Sequence, residues 1–137
     1  MKRIIPVLIL ALLACACFQE SAPLVASDVV VTKPMPGMNM TAGYLTLRNN
    51  SPQPIIISHV VSPQFESVEM HESVVEDGMA RMYALGEMTV LAGSSVVFQP
   101  GGKHLMLMRP IGEFDTVTLD FFAGEAVVLT INVTLSD

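Results

Sequence analysis

The 137-residue chain has no tryptophan, two tyrosines and only two cysteines. Both cysteines, Cys15 and Cys17, fall in an apolar leader, so the part that folds has neither a disulfide nor a thiolate. That excludes thiol nucleophiles, thioredoxin-like exchange and blue-copper electron-transfer centres, all of which need a Cys. In an oxidising, exported compartment it also leaves stability to the core alone. Basic residues are scarce: seven Lys and Arg stand against thirteen Asp and Glu, a formal charge of −6. Two of the seven, Lys2 and Arg3, lie in the expected export segment, and without them the mature chain has five against thirteen, or about −8. An acidic body with no basic stripe excludes nucleic acid as a partner. With 51% hydrophobic and 15% charged residues, a largely disordered chain is excluded as well. What is abundant is methionine, ten residues against three histidines.

Lys2-Arg3 followed by the apolar run Ile4 to Ala14 has the plan of a signal peptide and is too short to cross a bilayer. Leu12-Leu13-Ala14-Cys15 matches a bacterial lipobox, which makes Cys15 the lipidated first residue of the mature protein. Ordinary cleavage after Ala16 or near Ala26 is the alternative. The expected organisation is a signal peptide over 1–16, a polar tether over 17–27 and one domain over 28–137. The expected place is the periplasm or cell envelope, at a membrane surface through a lipid anchor.

From Asp28 onward no segment has a helical period. Short runs rich in Val, Ile, Thr and Leu alternate with turn residues. They predict strands at 29–33, 43–49, 55–61, 67–73, 79–85, 94–99, 104–109, 116–121 and 126–135. Strands at this spacing predict an all-β fold, an antiparallel Greek-key β-sandwich.

Asp77-Gly78 predicts a tight hairpin turn, which pairs Glu76 with Met79, Ser73 with Met82 and His71 with Ala84. Residues 67, 69, 71 and 73 then share one polar face, and Met82 joins it, diagonal to His71. In Lys103-His104-Leu105-Met106-Leu107-Met108-Arg109, the two leucines face the core, so His104, Met106 and Met108 lie on the other side. Two strands thus each present His and Met opposite their core residues. A thioether there gains little from burial and much from a soft ligand. Thioether with neutral imidazole suits Cu(I), whereas Zn²⁺, Ca²⁺ and Mg²⁺ prefer other donors. Methionine sulfur is neither protonated nor drawn into disulfides, though it can be oxidised to sulfoxide.

Methionine is also a common core filler. Met70 is expected in the core, and Met35, Met38 and Met40, in a Pro/Gly loop, are expected to pack rather than to be secondary copper contacts. His59 has no Met companion and reads as structural or surface. Glu66, Glu69, Glu72, Glu76 and Asp77 read as a solvated acidic rim, for want of a nucleophile beside them.

The sequence resembles the periplasmic copper chaperones known as PCuAC, marked by a His, ten residues, a Met, twenty-one residues and His-x-Met. Here Met70-His71 is followed by ten residues to Met82, then twenty-one to His104-Leu105-Met106. Val68-Glu-Met-His-Glu72, Ala42-Gly-Tyr-Leu-Thr-Leu47 and Pro100-Gly-Gly-Lys-His-Leu-Met-Leu-Met108 also resemble the family. The likeness runs from about residue 28 to the end, although the chain stops at Asp137 without the His/Met-rich tail of some relatives. The resemblance implies a cupredoxin-like β-sandwich without the blue-copper Cys, and Cu(I) held by His71, Met82, His104 and Met106. It implies a non-enzymatic carrier that passes copper to cytochrome c oxidase assembly, commonly the copper A centre. Its partners would then be the oxidase copper subunit or a Sco-type thioredoxin-fold chaperone. The competing readings are a structural or protein-interaction lipoprotein and a copper storage or tolerance protein. A cuproenzyme is disfavoured because no further catalytic group is evident.

Overall fold

The computed structural model describes residues 22–137. The signal-peptide assignment, Cys15 and the first part of the expected tether lie outside the described residues. Within them there is no helix, and eleven strands follow one another. They are β1 (Leu24–Val31), β2 (Met40–Asn49), β3 (Ile55–Ile57), β4 (His59–Val61), β5 (Phe65–Glu76) and β6 (Met79–Ala84). Then come β7 (Met88–Val90), β8 (Ser95–Phe98), β9 (Lys103–Pro110), β10 (Thr116–Ala123) and β11 (Ala126–Thr134).

Alternation decides which side of each strand is buried. In β2, Gly43, Leu45, Leu47 and Asn49 point inward, and in β10 Val117, Leu119 and Phe121 do so. Leu105 and Leu107 of β9 meet them with Val68 and Met70 of β5. Gly43 is there because the strands are close: a Cβ would sit 3.3 Å from Leu107 Cδ1 and 3.4 Å from Leu105 Cβ. Asn49, fully buried, donates through its side-chain amide to the Gln53 and Val90 carbonyls, which satisfies it inside an apolar core.

The main sheet runs β1-β2-β8-β9-β5-β4-β10-β11, with β6 pairing β5 at its outer part. β2 pairs β8 through its second half and β9 through its first. The far edges meet: the Ser136 amide donates to the Val31 carbonyl and the Lys33 amide to the Ser136 carbonyl, both at 2.9 Å. The sheet therefore nearly closes on itself, as the cupredoxin-like Greek-key expectation requires. Beside this seam an exposed hydrogen bond from Lys33 lowers the Asp137 pKa and raises that of Lys33, with their Coulombic attraction second.

Three expectations change. The stretch 17–27 is not all tether, because β1 starts at Leu24, whose side chain is fully buried. A bulge at Ser27 to Val30, with Asp28 at φ 53°, interrupts the alternation there and hides the first half of the strand from a pattern reading. The single strand expected at 55–61 is two: Ser58 hydrogen-bonds the Phe122 carbonyl, and β3 pairs β7 while β4 pairs β10 and β5. β7 itself, three residues long, was not expected.

Candidate metal centre

The centre is built on a hairpin. Asp77 (φ 51°) and Gly78 (φ 75°) form the left-handed pair that a two-residue turn needs. The resulting register is the predicted one, with Glu76 opposite Met79, Ser73 opposite Met82 and His71 opposite Ala84. On its other side β5 pairs β9, which sets His71 directly across from His104 and Glu69 across from Met106. β2 completes the face, with Ala42 opposite Met106 and Met40 opposite Met108.

Three strands, β5, β6 and β9, thus carry the residues singled out in the sequence to one face, and β2 borders it. The His71 and His104 ring centres lie 5.8 Å apart at 52°. A metal–nitrogen bond of about 2.0 Å and roughly 1.2 Å from nitrogen to ring centre allow two imidazoles on one ion to be at most about 6.4 Å apart. The observed spacing fits inside that limit. A cleft of about 280 Å³ is lined by Met82, His104 and Met106, together with Met40, Tyr44 and Ser73. His71 is not on its wall; it is half-buried beside His104. His104 is buried, Met106 half-buried, and Met82 is 50% exposed.

Hydrogen bonds decide which ring nitrogens remain free. His104 Nδ1 lies 3.1 Å from the Gly102 carbonyl, which only accepts, so Nδ1 carries the proton and Nε2 keeps its lone pair. His71 is the reverse: Nε2 lies 2.7 Å from Glu69 Oε2 and donates to it, which leaves the lone pair on Nδ1. That Nδ1 is buried and has no hydrogen-bond partner. An orphaned buried acceptor is costly and rare. A carboxylate on the far nitrogen and a free lone pair on the near one is how metal-bound histidines are commonly held. Two such nitrogens and two thioethers form a neutral, soft donor set. Among the described residues, no three His, Cys, Asp or Glu side chains come together as a metal cluster, so a hard-donor cage is not on offer.

Glu69 and Tyr44 were missed. Alternation already places Glu69 on the face of His71, but its carboxylate, expected as part of the acidic rim, instead accepts from His71 Nε2. Tyr44 could have been found from its place between the inward Gly43 and Leu45. The other carboxylates bind cations at the surface: Glu72 with Lys103 at 2.9 Å, Glu76 with Arg81 at 3.4 Å, and Glu66 with Arg109. Met70 is in the core as expected. His59 stacks on Phe122, ring centres 4.5 Å apart, which suits its structural reading. The packing expected of Met35 and Met38 fails, since they are 71% and 53% exposed. Met40 is not in the loop at all but begins β2 on the cleft wall. A larger cleft, about 490 Å³, lies near Lys33 and Leu135 and has no His or Met on its wall.

Among known proteins, the family described as "Putative lipoprotein LpqE-like" matches residues 24–135. The chain belongs to this family. It is a PCuAC-like family, and its match begins at Leu24, where β1 begins. A relative from Leifsonia xyli subsp. xyli, "Putative lipoprotein Lxx21020", is 33% identical over 94 residues. That match takes in 64% of this chain and only 57% of the relative's length. Among solved structures, the Cu(I) form of DR1885 from Deinococcus radiodurans is 27% identical, with a TM-score of 0.63. It covers 89% of this chain and 82% of its own. The copper-bound PCuAC domain of PmoF2 is 22% identical, covers 82% of this chain and 92% of its own, and superposes with a TM-score of 0.63. The fold expected from the sequence is thus that of the PCuAC domains.

Proposed function

We propose that this LpqE-like protein is an exported, lipid-tethered Cu(I) carrier that holds its cargo with His71, Met82, His104 and Met106. The observation that carries the reading is the orphaned Nδ1 of His71, set beside a second imidazole with a free nitrogen and two thioethers on the same face. The names of the copper-bound relatives support it. The lipoprotein relatives support Cys15 as the anchor and the periplasm or envelope as the place. The test is anaerobic Cu(I) titration against a competing chelator. One tight equivalent upholds the reading; no tight binding leaves a protein-interaction lipoprotein in its place.

The carrier does no covalent chemistry. It releases its ion by ligand exchange, in which a recipient's donors replace these one at a time. Met82 leaves first, being half exposed on the outer hairpin, and His104, buried in the sheet, leaves last. The recipient we propose is cytochrome c oxidase during assembly of its copper A centre, directly or beside a Sco-type partner.

Two predictions arise here. Protons compete with copper for imidazole nitrogen, so affinity falls on acidification, while the thioether share persists. Competition titrations at pH 7 and pH 5 check this, and a flat profile removes both histidines from the centre. Glu69→Ala, which strips the carboxylate from His71 Nε2, weakens Cu(I) binding by roughly 10–100-fold. Long-range ¹⁵N–¹H spectra of the imidazoles would show His71 losing its single tautomer. Unchanged affinity would make Glu69 a surface charge only.

A further inference from the structure

Met40 and Met108 face each other directly across β2 and β9. Directly opposed residues have Cβ atoms about 4.5–5.5 Å apart, so two flexible thioether arms can close on one ion between them. Met106 is one alternation step from Met108 on the same face and diagonal to Met40. Met40 and Met106 both line the cleft that holds Met82 and His104. Met40 is 40% exposed and Met108 half-buried, so neither is fully withdrawn into the core. Across β5 the residue facing Met108 is Ser67, which adds no charge to the pair. Immediately upstream, Met38 and Met35 are exposed in the loop that leads to Met40. A run of thioethers therefore reaches from solvent to the candidate centre.

We propose that Met40 and Met108 form a second, all-thioether station for a soft monovalent cation, adjoining the His/Met centre. Met106 is the residue through which an ion passes from one to the other. The proposal rests on the Cu(I) reading of the neighbouring centre. Two neutral sulfurs without imidazole hold such an ion weakly and select it from hard cations. Weak, partly exposed binding is what a loading position needs, because the ion must then move on to the deeper donor set. Met40 thus gains a role that its sequence surroundings did not predict.

The test is titration of the full domain, carrying ¹³C-methyl methionine, with Ag(I), a redox-inert stand-in for Cu(I). The first equivalent is expected to shift the methyl resonances of Met82 and Met106. Excess ion is expected to shift those of Met40 and Met108 in a separate, weaker event. In a Met40→Leu/Met108→Leu variant the second, weaker Ag(I) equivalent, counted by calorimetric titration of wild type and variant, is lost, and amide spectra report whether the fold is kept, since Leu conserves volume. If Met82 and Met106 respond while Met40 and Met108 do not, the second station is overturned and the carrier reading stands. A second Ag(I) equivalent that persists in the double variant overturns the station as well. If no methionine methyl moves, both readings fall.

Discussion

Met82→Leu is expected to abolish tight Cu(I) binding and to leave the domain folded. Met82 stands on β6 with half its surface exposed, so no core contact depends on its sulfur, and Leu conserves its volume. What the substitution removes is one of two thioethers in the proposed set of four donors. Loss of a partner behind a metal ligand already costs roughly 10–100-fold in affinity, so loss of a ligand costs more than about 100-fold. Competition titration of wild type and variant under anaerobic conditions measures this, with thermal unfolding of the apo forms as the control for fold. An unchanged affinity would take Met82 out of the centre. The same substitution at Met106 should act alike, with an additional cost from its half-buried setting.

The second large effect is on stability. Leu24→Ala is expected to destabilise the domain by about 2–5 kcal/mol, the usual range for a fully buried leucine. For a domain near this size that lowers Tm by several degrees for each kcal/mol, so a fall of at least about 10 °C is expected. With no cysteine in residues 22–137, no disulfide within the described domain offsets the loss. Thermal denaturation followed by far-UV circular dichroism is the measurement. A Tm within about 2 °C of wild type, well below the shift a buried leucine implies, would show that residues before Asp28 are tether after all. Copper affinity should change little, because Leu24 pairs with Asn49, at the end of β2 away from the cleft residues Met40 to Tyr44.

Much of the site was legible because strand alternation and a two-residue turn are local rules. Asp77-Gly78 set the hairpin register, and that register put Met82 on the face of His71. Leu105 and Leu107 put His104 and Met106 on the outer face of β9 without any knowledge of its neighbours. What alternation could not say is which strands adjoin. β9 lies between β2 and β5, so Met40 joins the cleft wall across a separation of more than sixty residues in sequence from Met106. The start of β1 was hidden by its bulge, and the break at Ser58 was hidden because its cause, the Phe122 carbonyl, is far away in the chain.

The absence of cysteine from the folding part, the all-β pattern, and the His and Met spacing were determined by the sequence alone, since composition and periodicity act within a strand or a turn. The tertiary structure decided the rest. It set His71 against His104 and gave Glu69 to the outer nitrogen of His71. It left the inner nitrogen without a partner and brought Met40 opposite Met108. Those are contacts between strands, and strand order follows from how the whole sheet buries its apolar face, which no single segment carries.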